Sequence, residues 1–309
     1  MRKVRIAAAC AMSLLLAASV MAGSVKPDKK LKMRIAVAPL DWKNYEYIDN
    51  WQIPIEFRNA IHEKLQKKLL ETGRFIVLER EAMEALLQEQ AIKEENTGQS
   101  QKGKLVPAQA LVQGKVTDFE MRRNSTGGGV NIGGIGRVGG SVTNAKMALN
   151  VRIFNVDTSE VIASEEAAGK AQSSGFKFDG NYRVAFADFE HFERTPLGEA
   201  TTKAIDAAVE KILAKLDKLP WSCRVADYDA SSKEVTLNVG ESSGISVGDT
   251  FDVYKVTKVI KDPETGEVLG TKTAKAGRIK VTEVEQKFSL ATVVEGDGFE
   301  VGSIVREIK

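Results

Sequence analysis

The hydrophobic period of the chain changes once, at Pro220 and Trp221, and that change limits the fold more than any single motif. Upstream, alternating and helical segments interleave. MRIAVAPL (33–40) alternates and predicts a first strand, ended by Pro39. Ile61, Leu65 and Leu69 repeat at helical spacing within 55–72, and Gly73 closes that segment. Residues 74–78 predict a brief strand, and EREAMEALLQEQAI (79–92) a second amphipathic helix. Longer strands are expected over 108–121 and 146–156, with a turn at Asp157-Thr158-Ser159 into a partner strand from Val161. Thr195 and Pro196 suit an N-cap and first helical position, and Ala204, Ala208, Ile212 and Leu216 line the helix that follows. Residues 33–219 therefore predict an α/β domain, a mixed sheet with helices. Downstream only alternation remains, over 235–239, 251–256, 278–284 and 288–294, with a hairpin tip at DPETGEVLG (262–270). Residues 223–309 predict a small all-β barrel, whose closure avoids open strand edges.

The first residues read as an export leader. Arg2, Lys3 and Arg5 precede a short apolar run over 6–18, and Val20-Met21-Ala22 offers a small-residue cleavage site. The expected division is thus a leader over 1–22, a charged linker over 23–32, and then the two domains. Cleavage before Cys10 would leave too short an apolar core, so lipidation is not expected. The chain holds 44 basic and 42 acidic residues, three of the basic ones in the leader. The exported part is close to neutral and lacks the basic footprint of a nucleic-acid binder. Cys223 would be its single cysteine, read as a buried thiol.

Three enzyme motifs fail on context. Gly134, Gly136 and Gly139, within GGGVNIGGIGRVGG (127–140), spell G-x-G-x-x-G. A dinucleotide site needs a helix directly afterwards, whereas SVTNAKMALNVRIF alternates as a strand does. Gly240-Glu241-Ser242-Ser243-Gly244 fits G-x-S-x-G, but that elbow also needs a following helix and a later histidine. Residues 245–256 look strand-like, and no histidine lies beyond His191. His62, His191 and Cys223 share no metal-ligand spacing, and His62, among charged residues, is expected to be solvated. Glu79, Glu81 and Glu84 read as the wet face of a helix. No catalytic residue, metal site or cofactor is expected.

Two other segments invite a binding role. In FKFDGNYRVAF, the residues Phe176, Phe178, Tyr182, Val184 and Phe186 share one parity, with polar residues on the other. A two-sided strand with an aromatic border suits a membrane β-hairpin; equally, its apolar face suits packing on the protein's own sheet. The tract from Gly127 through Gly139 fits a second hairpin, the two spanning about 121–146 and 172–194. One subunit with two such hairpins cannot satisfy their edges in lipid, so insertion would require a closed ring of subunits. The loop after the first strand is rich in aromatic and amide residues: Trp42, Asn44, Tyr45, Tyr47, Asn50 and Trp51.

RIAVAPL, RFIVLEREAMEALLQEQ, AQALVQGKVTDFE, the glycine tract and NVRIFNVDTSEVIAS together resemble the curli production assembly/transport component (CsgG) family, in order over 34–219. The resemblance implies a periplasmic α/β domain, ring homo-oligomers feeding an outer-membrane channel through two hairpins per subunit, and a pore-narrowing loop after the first strand. GISVGDTFDVYK and DPETGEVLG look like the SH3-like C-terminal domain of flagellar assembly protein T. The expected function is a non-enzymatic envelope protein serving secretion or assembly of surface structures. Its partners would be itself and envelope assembly proteins or a secreted polypeptide. The alternative is a soluble periplasmic adaptor of a flagellar or peptidoglycan-synthesis machine. This chain departs from the type member in lacking a convincing lipobox and in carrying the second domain.

Overall fold

A computed structural model describes residues 31–49, 51–78, 107–125, 130–131, 137–138, 141–156, 159–174, 176, 182, 188–264 and 268–308. The leader, the expected helix over 79–92, Asn50, Phe178, Val184, Phe186, Gly127, Gly134, Gly136 and Gly139 lie outside the described residues.

The chain runs through β1 (Met33–Val37), a small hairpin of β2 (Tyr47–Ile48) and β3 (Trp51–Gln52), helix α1 (Ile55–Glu71) and β4 (Phe75–Leu78). Strand β5 (Ala110–Ser125) leads to short β6 (Val130–Asn131) and β7 (Arg137–Val138), which pair with each other, and to β8 (Ser141–Asn155). Then come β9 (Val161–Ser173), one-turn helix α2 (Phe189–Glu193) and long helix α3 (Pro196–Leu216). The main sheet has the order β4-β1-β5-β8-β9. Strand β1 is parallel to β4 and β5, whereas β5, β8 and β9 run antiparallel, so the sheet is mixed.

Physical reasons for this arrangement can be read residue by residue. All five residues of β1 are buried, as expected of a central strand covered on both faces. Helix α1 turns Phe57, Ile61, Leu65 and Leu69 inward, and Gly73 ends it with φ +66°, a left-handed conformation that costs glycine little. The Thr195 hydroxyl accepts from the Gly198 amide at 3.1 Å, and Pro196 begins α3 as predicted. Ala200, Ala204 and Ala208 form a small-residue face on α3, which lies on β8 and β9. Gly169 of β9 permits that approach: a Cβ there would run into the Ala200 carbonyl. His62, expected in solvent, is instead buried at 3% exposure. Helices α1 and α3 pack side by side, tied by Lys64 to Thr202 at 2.8 Å and Lys68 to Asp206 at 2.9 Å.

Edges matter to what this sheet can join. Among the described residues β4 and β9 are its outer strands, and lysines of α3 occupy two carbonyls of β9. Lys203 donates to Lys170 O at 3.3 Å and Lys211 to Glu166 O at 2.5 Å. At the far end β5 and β8 outrun their neighbours. Paired residues continue to Ser125 opposite Ser141, although β1 stops at Val112 and β9 stops at Thr143.

The second unit contains β10 (Ser222–Asp229), β11 (Glu234–Leu237), β12 (Thr250–Lys261), β13 (Val268–Val284), β14 (Ser289–Gly296) and β15 (Ile304–Glu307). They close into a barrel of order β10-β11-β14-β13-β12-β15. Trp221, Cys223, Val225, Val235, Leu237, Phe251, Val253, Ile279, Val281 and Val305 fill it. Strand β12 begins at Thr250, later than the alternation from 245 indicates. Ser242 sits in a 3-10 turn, Glu241–Ser243, with a loop and then a strand after it, so the nucleophile-elbow geometry is missing.

Candidate functional site

The aromatic loop after β1 is fixed to the sheet at its root. The Asp41 amide donates to Gly114 O at 2.9 Å, and the Asp41 carbonyl accepts from Val116 N at 2.8 Å. Its carboxylate accepts from the Lys43 amide at 2.9 Å, an Asx-type turn that leads into Asn44 at φ 78°. Tyr45 N then donates to Trp42 O at 2.7 Å, and Ile53 N closes the loop on Glu46 O at 2.9 Å.

Its side chains divide into two groups. Trp42 is buried edge-on against Phe119, ring centroids 5.3 Å apart. The Tyr45 hydroxyl donates to Thr117 O. Trp51 is half-buried and lies parallel to the Tyr182 ring at 6.3 Å. Asn44 and Tyr47 face solvent, Tyr47 at 55% exposure. Thus the structure places Trp42, Tyr45 and Trp51 against the protein itself and leaves Asn44 and Tyr47 available for contact.

Tyr182 comes from the second candidate segment and meets this loop. Its hydroxyl donates to Asp49 Oδ2 at 2.8 Å and lies 3.4 Å from Met121 O. Burial, then the Asp49 contact, pushes its pKa up. Phe176, half-buried, is held by its amide to Ser173 Oγ at 3.2 Å and its carbonyl to the Thr143 hydroxyl at 3.4 Å.

Beneath the loop lies a cluster that sequence reasoning missed. Phe57 meets Phe192 at 4.5 Å and Phe189 at 5.5 Å, and Phe192 connects to Phe119 at 6.4 Å. The signal was present in DFEHFER: Phe189 and Phe192 are three apart, and Asp188 can cap the turn. Asp188 accepts from the His191 amide at 2.8 Å and contacts its ring at 2.7 Å, which holds the carboxyl below its usual range.

The opposite face of β5, β8 and β9 is a polar ladder. Glu120, Lys146 and Lys170 stand side by side, as do Arg122, Asn144 and Gln172. Asp118 pairs with Lys146 at 2.5 Å and Glu120 with Arg122 at 2.7 Å. Among the described residues, no three His, Cys, Asp or Glu side chains gather where they could hold a metal. The described residues here present a solvent-facing amide and phenol on the loop, Asn44 and Tyr47, and paired charges on the sheet.

Residues 17–238 match the model of the curli production assembly/transport component (CsgG) family. Residues 232–300 match that of flagellar assembly protein T, C-terminal domain, a range holding β11 to β14 of the barrel. No curated protein matches the chain. Among solved structures it is similar to the hypothetical protein CT253 from Chlamydia trachomatis, with 12% identity, 60% of this chain and 98% of that one covered, and TM-score 0.38. It is also similar to lipoprotein GNA1162 from Neisseria meningitidis, with 10% identity, 53% and 99% covered, and TM-score 0.27. A neuraminyllactose-binding hemagglutinin homolog from Helicobacter pylori shares 14% identity, with 62% and 92% covered and TM-score 0.31.

Proposed function

Because the chain belongs to the curli production assembly/transport component (CsgG) family, we propose that it is a non-enzymatic envelope protein that oligomerises to support secretion or assembly of surface structures. The observation that carries this reading is the β5–β8 ribbon, which extends beyond both flanking strands. A two-stranded ribbon has little stability alone, and its bare edges are templates for further strands. Copies of the ribbon side by side would satisfy those edges, and a closed ring is the arrangement that lipid tolerates. In the fullest form of the proposal, ribbons and the 172–194 segments of a ring build an outer-membrane channel. The loop holding Trp42, Asn44, Tyr45, Tyr47, Asn50 and Trp51 then contacts the passing chain, and the barrel, read as SH3-like, docks an envelope partner.

A second reading has one observation in its favour. Tyr182 is buried against Asp49 and Met121, so part of the second aromatic segment packs on its own sheet. That suits a soluble periplasmic adaptor. Sizing and imaging the purified protein with and without detergent separate the two. Rings in detergent, and loss of membrane association in Phe178→Asp and Phe186→Asp, are expected for the channel. A single copy in every condition, with unchanged fractionation of both variants, would overturn the assembly role.

A further inference from the structure

Between the two folded units lies a cleft of about 430 Å³, within the range of small-ligand sites. Its floor is Arg34, the second residue of β1, at only 8% exposure. The guanidinium crosses to the barrel and donates from Nη1 to the Asn238 carbonyl at 3.2 Å, while Nε has no partner. Gln109 fixes the joint beside it, accepting from the Arg34 amide at 2.9 Å and donating to Ser222 O at 2.8 Å.

The charge of this cleft is one-sided. Arg224 and Arg306 also line it, and among the described lining residues there is no Asp or Glu. Arg224 donates to the Gly302 carbonyl at 3.1 Å, and Arg306 lies over the Tyr254 ring at 5.1 Å. None of the three arginines is ion-paired with a described residue. A buried cation without a counter-ion is costly. Burial works against the Arg34 charge, and the electrostatic neighbour that offsets it is the Cys223 thiol rather than a carboxylate. The same molecule shows the alternative elsewhere: Arg74, near the same joint, meets Asp217 at 2.6 Å. A simple strut would carry such a carboxylate partner.

We propose that this cleft is a binding site for a small oxyanion-bearing ligand, a carboxylate or a phosphate, held by Arg34 with Arg224 and Arg306. Guanidinium forks match the paired oxygens of both groups, which accounts for arginine in preference to lysine. Asn238 and Thr271 border the cleft and supply an amide and a hydroxyl for orientation. The site goes beyond the assembly role and does not require it, since a single copy holds every residue named.

Calorimetry and thermal melting of the purified protein, at fixed ionic strength, test the proposal with inorganic phosphate and citrate as separate probes and chloride as control. Saturable binding of one or both probes is expected, with phosphate alone or citrate alone identifying the group recognised. Arg306→Gln and Arg224→Gln should each weaken binding about tenfold, as loss of one charge-assisted contact does, and Arg34→Gln should abolish it. Should Arg34→Gln loosen the joint, the two rim variants, with unchanged circular dichroism and ligand-free melting, remain decisive. Absence of saturable binding to either probe, or affinities equal in wild type and both rim variants, would overturn the site.

Discussion

The Tyr182 hydroxyl donates to Asp49 Oδ2 at 2.8 Å across 133 positions of sequence, and so fastens the segment after β9 to the loop after β1. Tyr182→Phe keeps the ring against Trp51 but removes the hydroxyl; urea unfolding should show a loss of about 1 kcal/mol. Tyr182→Ala also empties the buried ring position and should cost about 3–5 kcal/mol. Equal effects of the two substitutions would show that the hydroxyl, not the ring, holds the segment.

Gly169 sets the distance between α3 and the sheet, because a Cβ would meet the Ala200 carbonyl and Ala204 amide. Gly169→Ala must push the helix outward, with a loss of about 1–3 kcal/mol. Gly248, at φ +95° with open space around it, gives a contrasting control: its alanine variant is strained in the backbone without displacing a neighbour. Thermal melting together with hydrogen exchange on α3 distinguishes them, since only the first variant should raise exchange along the helix.

Cys223 is 2% exposed, and burial pushes its thiol pKa well up, with Arg34 acting the other way. The thiolate is the reactive form. Alkylation at mildly alkaline pH should therefore be slow in the folded protein and fast in denaturant. Rapid labelling without denaturant would show that the joint between barrel and sheet opens readily.

Asp252 couples barrel stability to acid pH. Burial would push its carboxyl up, but hydrogen bonds from Lys275 and Arg278, each at 3.0 Å, outweigh that and hold the pKa below the usual value. A depressed carboxylate stabilises the folded state above its unfolded pKa of about 4, and that contribution fades as pH falls through the folded value. Melting temperatures of wild type and Asp252→Asn should converge in the acid window that opens as pH falls below about 4. Parallel curves through this window would count against the triad.

Much of the framework was legible because it is local. The Thr195 and Pro196 pair with its apolar stripe marked the start of α3, alternation located β8 from Lys146 onward, and the turn expected at 157–159 pointed to the start of β9. Strand β5 ran past its expected end at Met121 because Arg122, Arg123 and Asn124 carry no apolar signal; the long pairing with β8 holds them in the sheet. His62 looked solvated on its own helix, and its burial comes from packing between elements that local sequence does not show. Arg34 posed the same problem at longer range: its acceptor, the Asn238 carbonyl, is 204 positions away. The loop aromatics were visible as a group. Which of them turn inward depended on Phe119, Thr117 and Tyr182, all distant in sequence.

The ammonium groups of Lys203 and Lys211 sit on carbonyls that an incoming β-strand would need. That border of the molecule therefore repels end-on stacking into fibrils. A strand that joins the sheet at β9 must first displace both ammonium groups, which disfavours open-ended growth from that edge.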